Sequence, residues 1–581
     1  MRALLPSYPW LKSYSKPDFF KDLSAGLIVA VMLVPQGMAY AMLAGLPPVI
    51  GLYASTIPIL IYALLGSSRQ LAVGPVAIVS LMTLTGVSAL AEQGSSEFII
   101  LAAVLALMVG VMQFLLGVLR VGFVVNFLSH AVISGFTSAA AIIIGLSQLK
   151  HLLGVSTPRT HNVFELLWET GKHLANVNPI TLLIGVASIV ALLLLKRLGR
   201  YFPAPLVVVV ASTAVVYFFN LQERGVNIVG DVPPGLPGFA LPAFDMGMLQ
   251  ALLGVALAVT FVGFMESISV AQAIANREGY RVDANQELVG LGLANVAAGV
   301  FAGYPVTGGF SRTAVNYQAG ARSPIASFIT AVLIMLTLVF FTQLFYYLPQ
   351  AVLAAIIMVA VYKLINVQEA VHLFKLKPID GWTLVITFAA TLSLGIEIGI
   401  AIGAGFSLLV FIWRSAYPHT ATVGYLPDEG VFRNLERYPS AQTFQNTIII
   451  RPDASLYFAN SAFLENYLLN AVNSDTKWVV LDFSGVNDID GVAIETLEKL
   501  MHTWQEVGHE VHIAAMKGPV RDLATKAGWF EAFPGQLEHL SIHHVLTELD
   551  VWDTMQPASL RDREDSPRAG VQPLTRPAKS S

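Results

Sequence analysis

Cysteine is absent from all 581 residues, which removes disulfides, thiolate nucleophiles and thiolate metal sites and leaves the redox compartment unreadable. Charge is scarce: only 12% of residues are Asp, Glu, Lys or Arg. No Gly-x-x-x-x-Gly-Lys phosphate loop occurs, so ATP is not expected to drive any process here. No histidine–carboxylate cluster has metal-ligand spacing, and the expectation is no metal, no cofactor, no enzymatic activity and no nucleic-acid partner. The net charge of −4 says little, because charge is segregated along the chain. No cleavable signal peptide is evident. The beginning, 1–21, is broken by Pro6, Pro9 and Pro17 and carries Trp10, Tyr14 and Phe19 beside lysines, which suits an interfacial lead-in.

What fills the chain instead is apolar. With 55% hydrophobic residues and a mean hydropathy of +0.65, the first 415 or so positions cannot form a water-soluble globule. Successive apolar runs, each about long enough to cross a hydrocarbon core, predict a polytopic membrane protein. The runs fall at 22–44, 48–66, 75–91, 98–119, 124–149, 179–196, 203–220, 248–275, 286–303, 307–319, 323–347, 350–365, 380–397 and 398–415. Positive charge tests this order independently. Arg69, Arg120, Lys196, Arg197, Arg200, Arg277, Arg281, Arg322, Lys363, Lys375 and Lys377 lie at or after even-numbered segments. The opposite loops hold Lys150, Arg159, Lys172 and Arg224. Both termini are therefore expected on the cytoplasmic side.

Two segments are short and begin with helix breakers. The third opens with Ala72-Val73-Gly74-Pro75-Val76-Ala77 and the tenth with Tyr304-Pro305-Val306-Thr307-Gly308-Gly309-Phe310-Ser311-Arg312. They occupy matching places in two successive halves of seven segments, and because seven is odd the second half enters the membrane inverted. This is the pattern of an inverted-repeat transporter whose half-helices meet at the midplane. Helix N-termini expose unpaired N–H groups and partial positive charge. Gly74, Pro75, Gly308 and Gly309 mark the breaks, with the glycines allowing close backbone approach. An arginine at membrane depth is disfavoured by roughly 3 kcal/mol, so Arg312 points to a substrate path. Such pairs also make plain kinks, and arginine can snorkel; the symmetric placement and the polar neighbours Ser311 and Thr313 favour the anion site.

The motifs carry a resemblance. Val34-Pro35-Gln36-Gly37-Met38-Ala39-Tyr40-Ala41, Leu46-Pro47-Pro48-Val49-Ile50-Gly51-Leu52-Tyr53-Ala54-Ser55, Gly66-Ser67-Ser68-Arg69 and Val73-Gly74-Pro75 together resemble the signature of the SulP (sulfate permease) family, although family members often carry an aromatic where Ile50 stands. Gly279-Tyr280-Arg281-Val282-Asp283-Ala284-Asn285-Gln286-Glu287 and Ser311 to Asn316 add a second match. The resemblance implies a fourteen-segment helical membrane fold, a 7+7 inverted repeat. Segments 1–4 and 8–11 would form a substrate-carrying core, and segments 5–7 and 12–14 a gate. It implies elevator-like anion transport, usually by homodimers. In matching positions the substrate pocket would draw on Gln36, Tyr40, Val76, Ala77, Phe310, Ser311 and Arg312. Plain packing remains an alternative for Tyr40 and Phe310, whereas a buried Gln36 amide needs partners.

Glu266 lies near the middle of the eighth span and is expected to face the core site. A carboxylate near Arg312 competes with the anion for the positive field, and neutralising it with H⁺ or pairing it with Na⁺ would admit the anion, which is the local logic of symport. Some cation-coupled members of the family place an acid here. A fixed salt bridge to Arg312 is the structural alternative. Glu397 is expected at a solvated turn, and His130 and His151 near segment ends at the interface.

After Arg414 the character changes. Residues 416–551 have ordinary polarity, with strand-like Thr447-Ile448-Ile449-Ile450 and Trp478 to Phe483 alternating with helical stretches, which predicts a small α/β domain. It resembles a cytoplasmic STAS domain. In related soluble STAS proteins a phosphorylatable serine stands where this chain has Asp490, so phosphoryl switching is not expected there; dimer contacts or binding of a cytoplasmic protein partner are. Residues 552–581 read as a disordered tail.

The reading that results is a secondary active transporter of a small inorganic anion in the cell membrane, sulfate first, with H⁺ or Na⁺ coupling. A Na⁺-coupled bicarbonate or H⁺-coupled dicarboxylate transporter keeps the fold and changes the chemistry. A passive anion channel is disfavoured by Glu266, and a signalling protein that borrows the scaffold by the intact pair of half-helices.

Overall fold

A computed structural model describes residues 14–123, 129–155, 163–195, 197 and 203–557. The first half of the membrane part runs α1 (Lys16–Leu43), α2 (Pro48–Tyr53), α3 (Ile57–Leu65), β1 (Val73–Gly74), α4 (Ala77–Ser88), α5 (Ser96–Val118), α6 (His130–Ser147), α7 (Leu149–Leu153), α8 (Val163–Lys172), α9 (Pro179–Leu195) and α10 (Ala204–Phe218). The second half runs α11 (Met246–Glu278), α12 (Ala284–Val300), β2 (Thr307–Gly308), α13 (Phe310–Gln318), α14 (Ile325–Phe340), α15 (Gln350–Val361), α16 (Val367–Leu376), α17 (Pro378–Leu394) and α18 (Ile396–Ala416). Each of the fourteen expected segments coincides with a helix or a helix pair.

Helix packing sorts these elements into two sets. α5 packs on α12, α3 on α12, and α1 on α2, α13 and α14, which makes the core; α6 packs on α17, α9 on α15 and α10, and α16 on α17, which makes the gate. Between lipid-solvated helices apolar burial supplies little drive, so small residues that admit close backbone contact matter most. The α5–α12 crossing shows it. A Cβ at Gly110 would lie 2.5 Å from the Val296 nitrogen, and one at Gly292 would lie 2.5 Å from the Phe114 nitrogen.

Several expectations need correction. The first helix begins at Lys16, not 22, because Asp18 accepts the Ser15 N–H at 3.1 Å and caps it. The expected lead-in residues Pro6, Pro9 and Trp10 lie outside the described residues, as do 124–128 of the fifth segment, Lys196 of the sixth, the loop charges Arg159 and Arg200, and the tail from 558. The second segment is two helices broken at Ala54-Ser55-Thr56. Glu397 is backbone of α18, and its side chain lies outside the described residues.

Chain contacts divide the protein into two compact units, one ending at Leu408 and one beginning at Leu409, inside α18 rather than after residue 415. The second unit contains β3 (Thr420–Leu426), β4 (Val431–Asn434), β5 (Gln442–Phe444), β6 (Thr447–Pro452), α19 (Ser461–Ala471), β7 (Trp478–Asp482), α20 (Gly491–Glu506), β8 (Glu510–Ala514), α21 (Gly518–Lys526), α22 (Trp529–Ala532), α23 (Ile542–Glu548) and β9 (Met555–Pro557). The sheet order is β4-β3-β5-β6-β7-β8, with β6, β7 and β8 parallel and β9 antiparallel to β5. The expected limit at 551 is therefore too early, since Met555 pairs Phe444 and Gln556 pairs Thr443. Asp490 caps α20, accepting the Ala493 N–H at 2.9 Å and the Phe458 N–H at 2.8 Å. Both carboxylate oxygens are thus used by the fold. His512 and His539 meet at 3.1 Å inside this unit, and burial holds both below the usual histidine range.

Candidate functional site

The two short helices carry the site. α4 has 12 residues and α13 has 9, so they rise about 18 and 14 Å and cannot cross a core of about 30 Å. Each is a half-helix entered through an extended strand. Those strands pair antiparallel, Val73 with Gly308 and Gly74 with Thr307, as an inverted repeat requires. The ribbon is closed by the Gly309 N–H donating to the Ala72 carbonyl at 3.1 Å and the Ala72 N–H donating to Thr313 Oγ1 at 3.0 Å. Gly74 adopts φ +148°, a conformation costly for any side chain.

The N-cap residues, Val76 and Gly309, give neither half-helix a side-chain cap of their own. Their first-turn N–H groups therefore face outward, where an anion could accept them. Arg312 lies between the two ends and is 2% exposed. Its Nη1 donates to the Pro75 carbonyl, which ties the guanidinium to the opposite half-helix. Nε and Nη2 are buried without a partner. A Cβ at Gly309 would lie 3.0 Å from Nη2, and one at Gly74 3.3 Å, so a side chain at either position would crowd the guanidinium.

α1 brings Gln36 and Tyr40 to the same place, one helical turn apart and 5% and 7% exposed. Gln36 Oε1 has no partner, and Tyr40, Tyr304 and Glu266 all lie within electrostatic reach of Arg312. Val76 and Ala77 are buried at the start of α4. Glu266, on α11, has the Phe310 N–H in hydrogen-bonding reach, while its Oε2 is buried and unpaired. The fixed Glu266–Arg312 salt bridge offered as the alternative is therefore not formed. Phe310 is 57% exposed, and Ser311 is exposed beside it. The packing alternative thus fits Tyr40 better than Phe310, which is exposed at the first position of α13. The structure brings all seven expected pocket residues, Glu266 and the four break residues to one locus.

A supporting layer escaped the sequence. Ser267, next to Glu266, accepts the Gly308 N–H at 2.8 Å and meets the Thr307 hydroxyl at 2.7 Å. Asn295 accepts the Val306 N–H at 2.7 Å and donates to the Val306 carbonyl at 3.0 Å, so it fixes the strand before β2 as a paired strand would. Tyr304 and Ser80 share a hydrogen bond of 3.0 Å between the two halves. Glu287, fully buried, accepts from the Tyr62 hydroxyl at 2.6 Å, the Ser67 N–H at 2.7 Å, the Ser67 hydroxyl at 2.8 Å and the Ser68 N–H at 2.9 Å, which holds the loop leading into β1. Polar residues deep in apolar helices were the available signal, since buried polar groups demand partners.

Comparison with known proteins follows the same outline. Residues 19–387 match the sulfate permease family, and residues 438–542 match the STAS domain. The chain is 38% identical over 559 residues to sulfate transporter 4.1, chloroplastic, of Arabidopsis thaliana, covering 91% of this chain and 81% of that one. It is 37% identical over 589 residues to the probable sulfate transporter 4.2 of the same plant, covering 96% and 86%. The fold matches murine Solute Carrier 26 family member A9, an anion transporter in the inward-facing state, with TM-score 0.88 and 28% identity over 94% of each chain. The transmembrane domain of a cyanobacterium bicarbonate transporter matches in fold alone, with TM-score 0.58, 23% identity and coverage of 68% of this chain and 98% of that one. On identities of this size over nearly its whole length, the chain belongs to the sulfate permease family and carries a STAS domain after its membrane part.

Proposed function

We propose that the chain is a secondary active transporter of a small inorganic oxyanion, sulfate first, which moves its core against its gate and couples the movement to H⁺ or Na⁺ through Glu266. The observation that carries this is the unpaired Nε and Nη2 of Arg312 between two half-helix ends whose N-cap residues supply no side-chain cap. Charge arithmetic supports a dianion. Each helix end contributes about half a positive charge, so two contribute about one, and the guanidinium brings the sum to about two. An ionised Glu266 lowers it to about one, which suits a monoanion such as bicarbonate; a neutralised Glu266 restores the field for sulfate. Curated relatives at these identities are named as sulfate transporters.

The seven pocket residues act in distinct ways in this reading. Arg312 and the two helix ends supply charge, Gln36 and Tyr40 supply hydrogen bonds, and Val76, Ala77, Phe310 and Ser311 shape the wall. Phe310 and Ser311, like Ser269 and Gln272 on α11, are exposed, and in this reading they border the way from the site to the cytoplasm. A homodimer in the cell membrane, with both termini cytoplasmic and the STAS domain open to dimer contacts or a protein partner, completes the reading.

The test is uptake into proteoliposomes of the purified protein under imposed proton or Na⁺ gradients, with labelled sulfate, bicarbonate and succinate compared. Sulfate accumulation driven by one of the two gradients is expected. Accumulation of bicarbonate or succinate without sulfate overturns the substrate, and equilibration without accumulation overturns the coupling.

A further inference from the structure

Four titratable side chains are linked in series inside the STAS unit. His512, on β8, and His539, on the segment that follows α22, are 7% and 2% exposed, and His512 Nδ1 lies 3.1 Å from His539 Nε2. The backbone holds them there. The Ile513 N–H donates to the Gln536 carbonyl and the Ala515 N–H to the His539 carbonyl, each at 2.9 Å, so the segment runs beside β8. A glutamate flanks each outer nitrogen: Glu510 Oε2, from β8, is 3.8 Å from His512 Nε2, and Glu548 Oε2, from α23, is 3.1 Å from His539 Nδ1. Both carboxylates are about half exposed, whereas both outer nitrogens are buried and make no hydrogen bond. Glu538 and His544 also face His539, the first favouring a proton there and the second opposing it. Val480, paired with His512 from β7, is uncharged.

The protons do not match the contacts. Glu510 to His512, His512 to His539 and His539 to Glu548 each need an N–H group, and two neutral imidazoles carry one N–H apiece. Every pair of tautomers therefore leaves a ring lone pair facing another acceptor. One added proton gives each contact a donor, whereas a second would set two N–H groups face to face at 3.1 Å and two positive charges in one buried place. We propose that this series is a one-proton site, in which His512 and His539 share a single added proton between Glu510 and Glu548, and that it makes the STAS unit responsive to pH. Burial, the largest influence on both rings, holds them below the usual histidine range, so the unfolded chain takes its protons first as pH falls. The stability that the neutral pair contributes is thus full above about pH 6.5 and declines on acidification through the window just below. In the orientation proposed above the proton comes from the cytoplasm; the site itself rests neither on that orientation nor on the transported anion.

The experiment follows deuterium exchange at the imidazole C2–H of each histidine in the full chain in nanodiscs, read by mass spectrometry of peptides, which gives a protonation midpoint for each ring. His512 and His539 are expected to share one midpoint, below the usual histidine value of about 6.5. Glu548→Gln, at a half-exposed position that leaves the fold intact, weakens proton binding by the pair at least about ten-fold, the effect of removing an opposite charge within hydrogen-bond reach. His539→Asn raises the His512 midpoint, because no second ring competes for the proton. Midpoints at or above about 6.5 in wild type, or a Glu548→Gln protein with unshifted midpoints, overturn the site. So does a His512 midpoint that ignores His539→Asn. Exchange is read without transport, so this inference can fail while the transport reading stands, and the reverse.

Discussion

Arg312→Ala abolishes concentrative anion uptake, with an expected loss of at least about thirty-fold in rate at fixed substrate. Removing one partner of a buried, hydrogen-bonded charge contact costs about 2–5 kcal/mol, which corresponds to about 30- to several-thousand-fold in affinity. Nη1 ties α13 to the Pro75 carbonyl, and Nε and Nη2 are buried without a partner, which in the proposed reading leaves them for the anion. Arg312→Lys therefore fails to restore uptake, because a single ammonium cannot hold Pro75 and present a second, directed pair of donors. Uptake is normalised to folded protein by size-exclusion profile, so a folding defect is separated from a transport defect. Normal uptake by a well-folded Arg312→Ala protein would remove the arginine from the site.

Glu266→Gln is expected to uncouple transport without stopping it. The amide keeps the volume and can still meet the Phe310 N–H, but it carries no charge to be neutralised. The positive field of the half-helix ends and Arg312 then stays fully available to a dianion under all conditions. A gradient of one pH unit supplies about 1.4 kcal/mol per proton, enough for about ten-fold accumulation by wild type if one proton moves with each anion. In Glu266→Gln the accumulation ratio falls to about one, while exchange of internal for external anion persists. An unchanged dependence on both the proton and the Na⁺ gradient would return Glu266 to a structural role.

How much of this was legible depended on whether one residue or a partnership carried the signal. Gly74-Pro75 and Gly308-Gly309 announce the half-helices because no uninterrupted membrane helix tolerates those breaks symmetrically without cause. Arg312 announces the site because its burial is costly wherever it falls in lipid. The long apolar runs similarly announce the segments. α8 and α16, which lie outside the fourteen segments, escaped because each has only 10 residues and falls in a stretch that reads as loop, and α7, of 5 residues, runs on past the fifth segment. The break at Ala54-Ser55-Thr56 escaped because neither glycine nor proline stands at it. β9 was hidden in a polar tail, where Met555, Gln556 and Pro557 carry no strand periodicity and are defined only by their pairing with β5, more than a hundred positions earlier. Ser267, Asn295 and Glu287 were visible as polar residues in apolar helices, yet their partners lie at 40, 11 and 220 positions' separation. Such pairings belong to the fold and not to local pattern.

An anion at the N-terminus of α13 can be tested directly, because the chain contains no cysteine. Ser311→Cys introduces the sole thiol of the chain at an exposed position beside Arg312. The measurement is its rate of modification by a small, charged thiol reagent, with and without sulfate. Sulfate is expected to slow labelling in a saturable manner, and Arg312→Ala, added to the same background, to remove the protection. Labelling that sulfate leaves unchanged, in a protein that still accumulates sulfate, would contradict the site.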